Sequence, residues 1–229
     1  MRANIRKWSA VRWATAPVAV AAALAVAGCG TQLGAAVLYG NQRTSSTKLA
    51  DEVANLNAGY QRYRAKVQIS YTPADMPRAV LGWILRFATS DRVAAREGIT
   101  VTPAQAQAQL AAEAARAHQS GDTLPEVAVL SGLPPDMLPQ VGRWFAIQAK
   151  LANLLDHGVP PKTSAAAAAL NTQIARQECL AAKSLNIMVN PQYGAYDFAT
   201  FTVVPAASTL SALPAGLGAS PAPKPPAKC

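Results

Sequence analysis

The sequence predicts a mainly α-helical domain with a small β-sheet that pairs an N-terminal strand with C-terminal ones. Three observations lead there. Apolar side chains recur at intervals of three and four through most of the region between Ser45 and Lys183, the spacing of one helix face. Two Thr-x-x-Gln/Glu caps with a proline in the first turn, Thr102–Gln105 and Thr123–Glu126, mark helix starts. After Asn186 the period changes to short apolar runs, and a similar run stands early in the chain at Ala35–Tyr39.

Ala35-Ala36-Val37-Leu38-Tyr39 reads as a brief buried strand closed by Gly40-Asn41. Ser45 or Ser46 caps the next helix, in which Leu49, Val53, Leu56, Tyr60 and Tyr63 share one face. Between Val67 and Pro77 the pattern lapses, and Pro73 and Pro77 bracket a turn. Arg78–Arg96 follows as the most apolar helix, with Val80, Leu81, Ile84, Leu85 and Phe87 on a broad face that Trp83 extends. A face that wide needs neighbours on more than one side, so this helix is expected to be central, ending at Gly98.

The helix opened by Thr102 runs to about His118 and is mostly Ala and Gln, which places it outside. A short helix from Thr123 stops near Gly132, and Pro134-Pro135 restart the chain. Met137, Val141, Trp144, Gln148, Leu151 and Leu155 then form one stripe of a long helix ending at Gly158. The last helix spans about Ser164 to Lys183, with Leu170, Ile174 and Leu180 inward. Asn186–Val189 and Thr200–Val204 read as two strands joined by the turn-rich Asn190–Asp197. Residues 205–229, rich in Ala and Pro, are expected to be disordered.

The first 28 residues have the layout of a secretory signal peptide. Arg2, Arg6, Lys7 and Arg12 precede an apolar run from Ala16 to Ala27, at ~12 residues too short for the ~20 of a spanning helix. The run closes on Val26-Ala27-Gly28-Cys29, which resembles the lipobox of bacterial lipoproteins. That resemblance implies a diacylglyceryl anchor on Cys29, a spacer over 29–34 and an exported domain over 35–204. The domain would then work at the extracytoplasmic face of the cell membrane. An ordinary signal peptide, or an uncleaved anchor, is the plainer alternative. The formal charge of +9 includes the four basic residues of the leader. What remains is spread without clusters and calls for no nucleic-acid partner.

The order of elements resembles the N-terminal chaperone module of the SurA family of exported folding factors. The resemblance rests on the entry strand Ala35–Tyr39 with its helix, the apolar helix Val80–Ala95 and the Ile99-Thr100-Val101-Thr102-Pro103 link. It extends to the helix pair in Leu124–Leu155, and to Val189-Asn190-Pro191-Gln192-Tyr193-Gly194, which is similar to the closing motif of SurA-type lipoproteins. In that family a parvulin isomerase domain is inserted where this chain has only Gly158–Ser164, and Leu170–Val204 looks like the returning piece. The resemblance therefore implies a chaperone-like module that binds unfolded or exported polypeptide and carries over no catalytic residue.

Nothing in the sequence points to an enzyme, a metal or a cofactor. The two histidines, His118 and His157, stand near helix ends and outside any ligand-spaced group. No phosphate loop, G-x-S-x-G or H-E-x-x-H occurs. Cys179 and Cys229 could pair in an exported compartment, although Cys179 in an apolar stripe reads first as core. Trp83, Phe87, Met137, Trp144 and Phe145, with Met188, are the candidates to line a peptide groove, set against the plainer expectation that they are core. Trp144 and Phe145 are adjacent and expected to point apart, one of them toward the surface. Two other functions stay open at this point: an envelope scaffold for one folded partner, or a remnant prolyl isomerase.

Overall fold

A computed structural model describes residues 34–206 and Cys229. The leader, Cys29, the spacer up to residue 33 and most of the 205–229 tail lie outside the described residues. The described part is mainly helical with a small antiparallel sheet, as expected.

The chain enters through β1 (Ala35–Tyr39), turns at Gly40-Asn41 and returns as β2 (Gln42–Ser45). Gly40 has φ +54, a left-handed conformation that glycine adopts without penalty. The sequence reading took Gly40-Asn41 as the end of a strand, and it is the two-residue turn of a hairpin. The return strand is polar, and only Thr44 is buried, so no alternation of apolar residues announces it.

Helix α1 (Ser46–Tyr63) starts on Ser45, whose hydroxyl accepts from the Lys48 backbone N–H at 3.1 Å. Its stripe is the expected one, with Leu49 and Leu56 fully buried and Val53 and Tyr60 packed beside them. The turn before the next helix is closed by Thr72, whose backbone N–H and hydroxyl both donate to Asp75. Pro77 lies inside the first turn of α2 (Met76–Glu97), so the turn sits earlier than the two prolines suggested. Gly98 ends α2 at φ +66.

Helix α2 is central because all three apolar clusters of the domain draw on it. Val80, Leu81 and Leu85 meet Leu49 and Leu56 of α1 and Val37 of β1. Phe87 meets Leu133, Met137 and Val141, and Val93 meets Leu151 and Ala181. Full burial of a leucine such as Leu81 or Leu85 is worth about 2 kcal/mol.

Helix α3 (Pro103–Gln119) begins with the expected capping box and buries little except Ala117. It lies close on α5 (Leu138–Leu155), because Gly142 has no side chain where a Cβ would stand 2.3 Å from the Ala106 backbone oxygen. Between them, α4 (Leu124–Leu130) and a 3-10 turn at Pro135–Met137 fill the approach. Glu126 closes the α4 cap by accepting from the Thr123 backbone N–H at 2.7 Å and its hydroxyl at 2.9 Å.

Helix α6 (Ser164–Ser184) packs on α2 and α5 chiefly through Ala181, Ala182 and Cys179, while Leu170, Ile174 and Leu180 are half-buried. Cys179 is not a free core thiol: it is bonded to Cys229, with 5.6 Å between the Cα atoms. Cysteine spacing cannot give such a connectivity.

The C-terminal part holds three short strands, β3 (Met188–Val189), β4 (Ala195–Asp197) and β5 (Thr202–Val204). Only β3 joins the N-terminal hairpin, antiparallel to β1 with Val37 opposite Val189, giving the order β2-β1-β3. The expected second partner of β1 goes elsewhere, because β5 pairs with β4 and lies against α2, where Val203 enters the core.

Candidate functional site

The residues Asp75, Arg78, Ala79, Gly82, Trp83 and Arg86 recur at helical spacing and so share one face of α2. That face forms one wall of an open cleft of about 350 Å³, completed by Ser131 and by Phe201, Thr202 and Val203 leading into and along β5. Val80, Leu81 and Leu85 on its other sides are buried, and two turns beyond Arg86 the cleft side itself passes into the core at Val93. One apolar helix thus serves the core over most of its surface and a surface recess with one side of its first half.

Of the aromatic candidates Trp83 lines this recess, and the others pack outward from it in ring-to-ring contact. The Trp83 ring centroid is 5.7 Å from Phe87 and 5.8 Å from Trp144, the latter edge to face, and Trp144 is 4.6 Å from Phe145. Trp144 and Phe145 therefore do not point apart. Their rings touch, and both are half-buried. Phe87 and Met137 lie beneath them as true core, 7% and 5% exposed. Trp83, Trp144 and Phe145 remain accessible in part, and Trp83 is fixed by its indole N–H, which donates to the Ser131 backbone oxygen at 3.0 Å. Met188 belongs to no such cluster and is 54% exposed on β3.

Sequence reasoning missed the cations. The Arg86 guanidinium lies 4.6 Å from the Trp83 ring centroid and 5.7 Å from that of Trp144, a cation held over two indole faces. Among the described residues it has no ion-pair or hydrogen-bond partner. The carboxylate whose charge it feels is Glu178 of α6, beyond salt-bridge reach, which accepts from Gln148 at 2.7 Å. Burial pushes the Glu178 carboxyl above its ordinary value, against the pull of Gln148 and Arg86.

At the other end of the cleft, Arg78 is paired with Asp75. Hydrogen bonds from the Thr72 hydroxyl and backbone N–H, then the pairing with Arg78, hold the Asp75 carboxyl below its ordinary value. The cleft so contains one neutralised cation and one open cation. The only sequence signal for it was the 3-4 spacing of Asp75, Arg78, Gly82 and Arg86 behind the apolar stripe.

Two other recesses lack this combination. One of about 460 Å³ between the β1–β2 turn, α2 and Ser184–Asn186 is mainly polar and has Tyr39 as its single aromatic lining residue. One of about 400 Å³ over the α3–α5 seam is lined by Val101, Pro103, Leu110, Pro139 and Arg143 and has no aromatic residue.

His118 falls in the last turn of α3 and His157 just past α5, at φ 55. No group of three or more His, Cys, Asp or Glu among the described residues could hold a metal ion. Nor is any helix among them long and apolar enough to cross a membrane. In comparison with known proteins, the chain matches no family model, no curated protein and no solved structure.

Proposed function

We propose that this chain is an exported, membrane-anchored lipoprotein whose domain, residues 35–204, binds unfolded or extended polypeptide without catalysis, in the manner of a SurA-type chaperone module. The observation that carries the reading is the half-exposed array Trp83, Trp144 and Phe145 beside an open cleft. Aromatic side chains present a large apolar area with little conformational freedom to lose, which suits contact with varied apolar segments. Among the described residues, strand β5 on the far wall has a strand partner on one side only.

Export is supported by the Cys179–Cys229 disulfide, since such bonds persist in oxidising compartments outside the cytoplasm. The signal-like leader ending at Cys29 supports the anchor. At ~0.8 kcal/mol per buried CH₂, two or three acyl chains on Cys29 hold a protein on a bilayer durably.

The test is suppression of aggregation of several unrelated unfolded proteins by the chain from Gly30 onward. Suppression at near-equal molar ratio is the expected result. A folded chain that suppresses none of them, yet retains one envelope protein in fixed ratio on cross-linking, would establish a scaffold instead. Replacing Cys29 by Ser is expected to remove the chain from the membrane fraction or block its maturation. Unchanged membrane recovery of a cleaved Cys29→Ser chain would refute the anchor.

A further inference from the structure

We infer that the α2 cleft is a carboxylate-recognition site, in which Arg86 takes a carboxylate of an extended polypeptide while the neighbouring apolar side chain lies on Trp83. This rests on the polypeptide-binding reading above and gives it a chemical selectivity.

The first argument is charge. Arg86 presents several N–H donors in a planar fork, and among the described residues none of them is taken by an acceptor. Stacking on Trp83 and Trp144 orients the fork without using its donors. A half-buried guanidinium in this state is matched by a carboxylate, which can accept two parallel hydrogen bonds. The one carboxylate lining the cleft, Asp75, is already engaged by Thr72 and Arg78.

The second argument is independent and concerns Gly82. Glycine in mid-helix is unfavourable relative to alanine because it adds chain entropy to the unfolded state. The two other glycines placed inside helices have packing reasons. A Cβ on Gly59 would meet Val129 at 2.9 Å, and one on Gly142 would meet the Ala106 oxygen at 2.3 Å. A Cβ on Gly82 would meet nothing within 4 Å. Gly82 lies in the cleft wall between Arg78 and Arg86. A flat stretch of helix there lets a ligand backbone approach closely, at the cost of helix stability, and no close neighbour among the described residues requires it.

The test uses the full chain purified in mild detergent and octapeptides carrying a neutral, carboxylate-free fluorophore at the N-terminus, read by anisotropy. One neutral peptide has a free C-terminal carboxylate. Its amidated twin has none, and a third is amidated but carries an internal Glu. The expected result is that one or both carboxylate peptides bind at least about tenfold more tightly than the amidated neutral twin. Whichever of the two does so identifies a chain end or an acidic side chain as the source.

Arg86→Gln is expected to abolish that preference, and Arg86→Lys to retain part of it. Gly82→Ala is expected to raise the thermal midpoint and yet weaken binding, a combination that a purely structural role for Gly82 cannot produce. Together with the peptide preference, it places the carboxylate site on this wall even should Arg86→Gln fail to fold. Equal binding of all three peptides overturns the carboxylate site and leaves the polypeptide reading standing. A preference undiminished in Gly82→Ala and in folded Arg86→Gln also overturns the site. Absence of binding by every peptide and every unfolded protein removes both readings.

Discussion

The side-chain amide of Asn190 donates to the backbone oxygen of Ala35 at 3.1 Å, and the Asn190 backbone N–H donates to the oxygen of Ala36 at 2.9 Å. One residue near the end of the domain thus satisfies two carbonyls of its first strand. Its own Oδ1 accepts from the Gln192 N–H at 3.2 Å, which sets the turn that follows. The short motif around Asn190 is accordingly a clasp between chain ends. Asn190→Ala leaves the Ala35 carbonyl without this donor in a part-buried place, and a loss of about 1–2 kcal/mol is expected in chemical denaturation. Asn190→Asp keeps the acceptor for Gln192 but sets a carboxylate oxygen against the Ala35 carbonyl, and is expected to be at least as destabilising as alanine.

Gly142→Ala is expected to destabilise the domain by about 1–3 kcal/mol, because backbone is a neighbour that cannot step aside. The methyl group would meet the Ala106 oxygen and the Leu110 side chain together, forcing α3 away from α5. Thermal unfolding measures the loss. An unchanged midpoint would mean that the two helices do not approach as closely as described.

Glu126 gives a pH dependence of defined sign. Hydrogen bonds from the Thr123 backbone N–H and hydroxyl, then the ion pair with Lys66 at 3.2 Å, hold its carboxyl below the ordinary value of 4.5. A carboxyl depressed in the folded state contributes stability above that value and loses it as pH falls through the folded value. Glu126→Gln is therefore expected to unfold more easily than wild type near neutrality, and the two should converge in acid. Denaturation curves taken between neutral pH and about pH 3 check it. A difference that persists unchanged into acid would assign the effect to shape instead of charge.

Cys179 and Cys229 are expected to be inert to maleimide in the unreduced, denatured protein, and both should react after reduction. Mass spectrometry of the alkylated chain counts them. Alkylation of either one before reduction would show that the bond is absent.

Much of this architecture was legible in the sequence because helices write their burial into a regular spacing. The stripe of α1, the breadth of α2 and the Thr102 and Thr123 caps are local signals, and each lands where its chemistry requires. What could not be read depends on partners distant in the chain. Strand β2 shows a single buried residue, Thr44, and no alternation. The choice of β5 between β1 and β4 is settled by the packing of Val203 on α2, which a run such as Thr-Val-Val does not encode. The candidate site divides in the same way. Trp83 and Phe87, four residues apart on α2, and Trp144 on its own stripe were visible as apolar. That α5 brings Trp144 beside Trp83 and so builds a seat for Arg86 depends on how the two helices cross.

Strand β1 opens the described fold, yet its inner partner is β3, and Val203 of β5 completes the cluster around Val37. If the chain emerges from a translocation channel with its N-terminal end first, the earliest segment to arrive waits for the latest. Until residues 188–203 have emerged, the β1 edge and the part of the α2 core that Val203 closes stay uncovered. In a chain that is exported so, completion of this fold would be a post-passage event, timed by exit of the last strand.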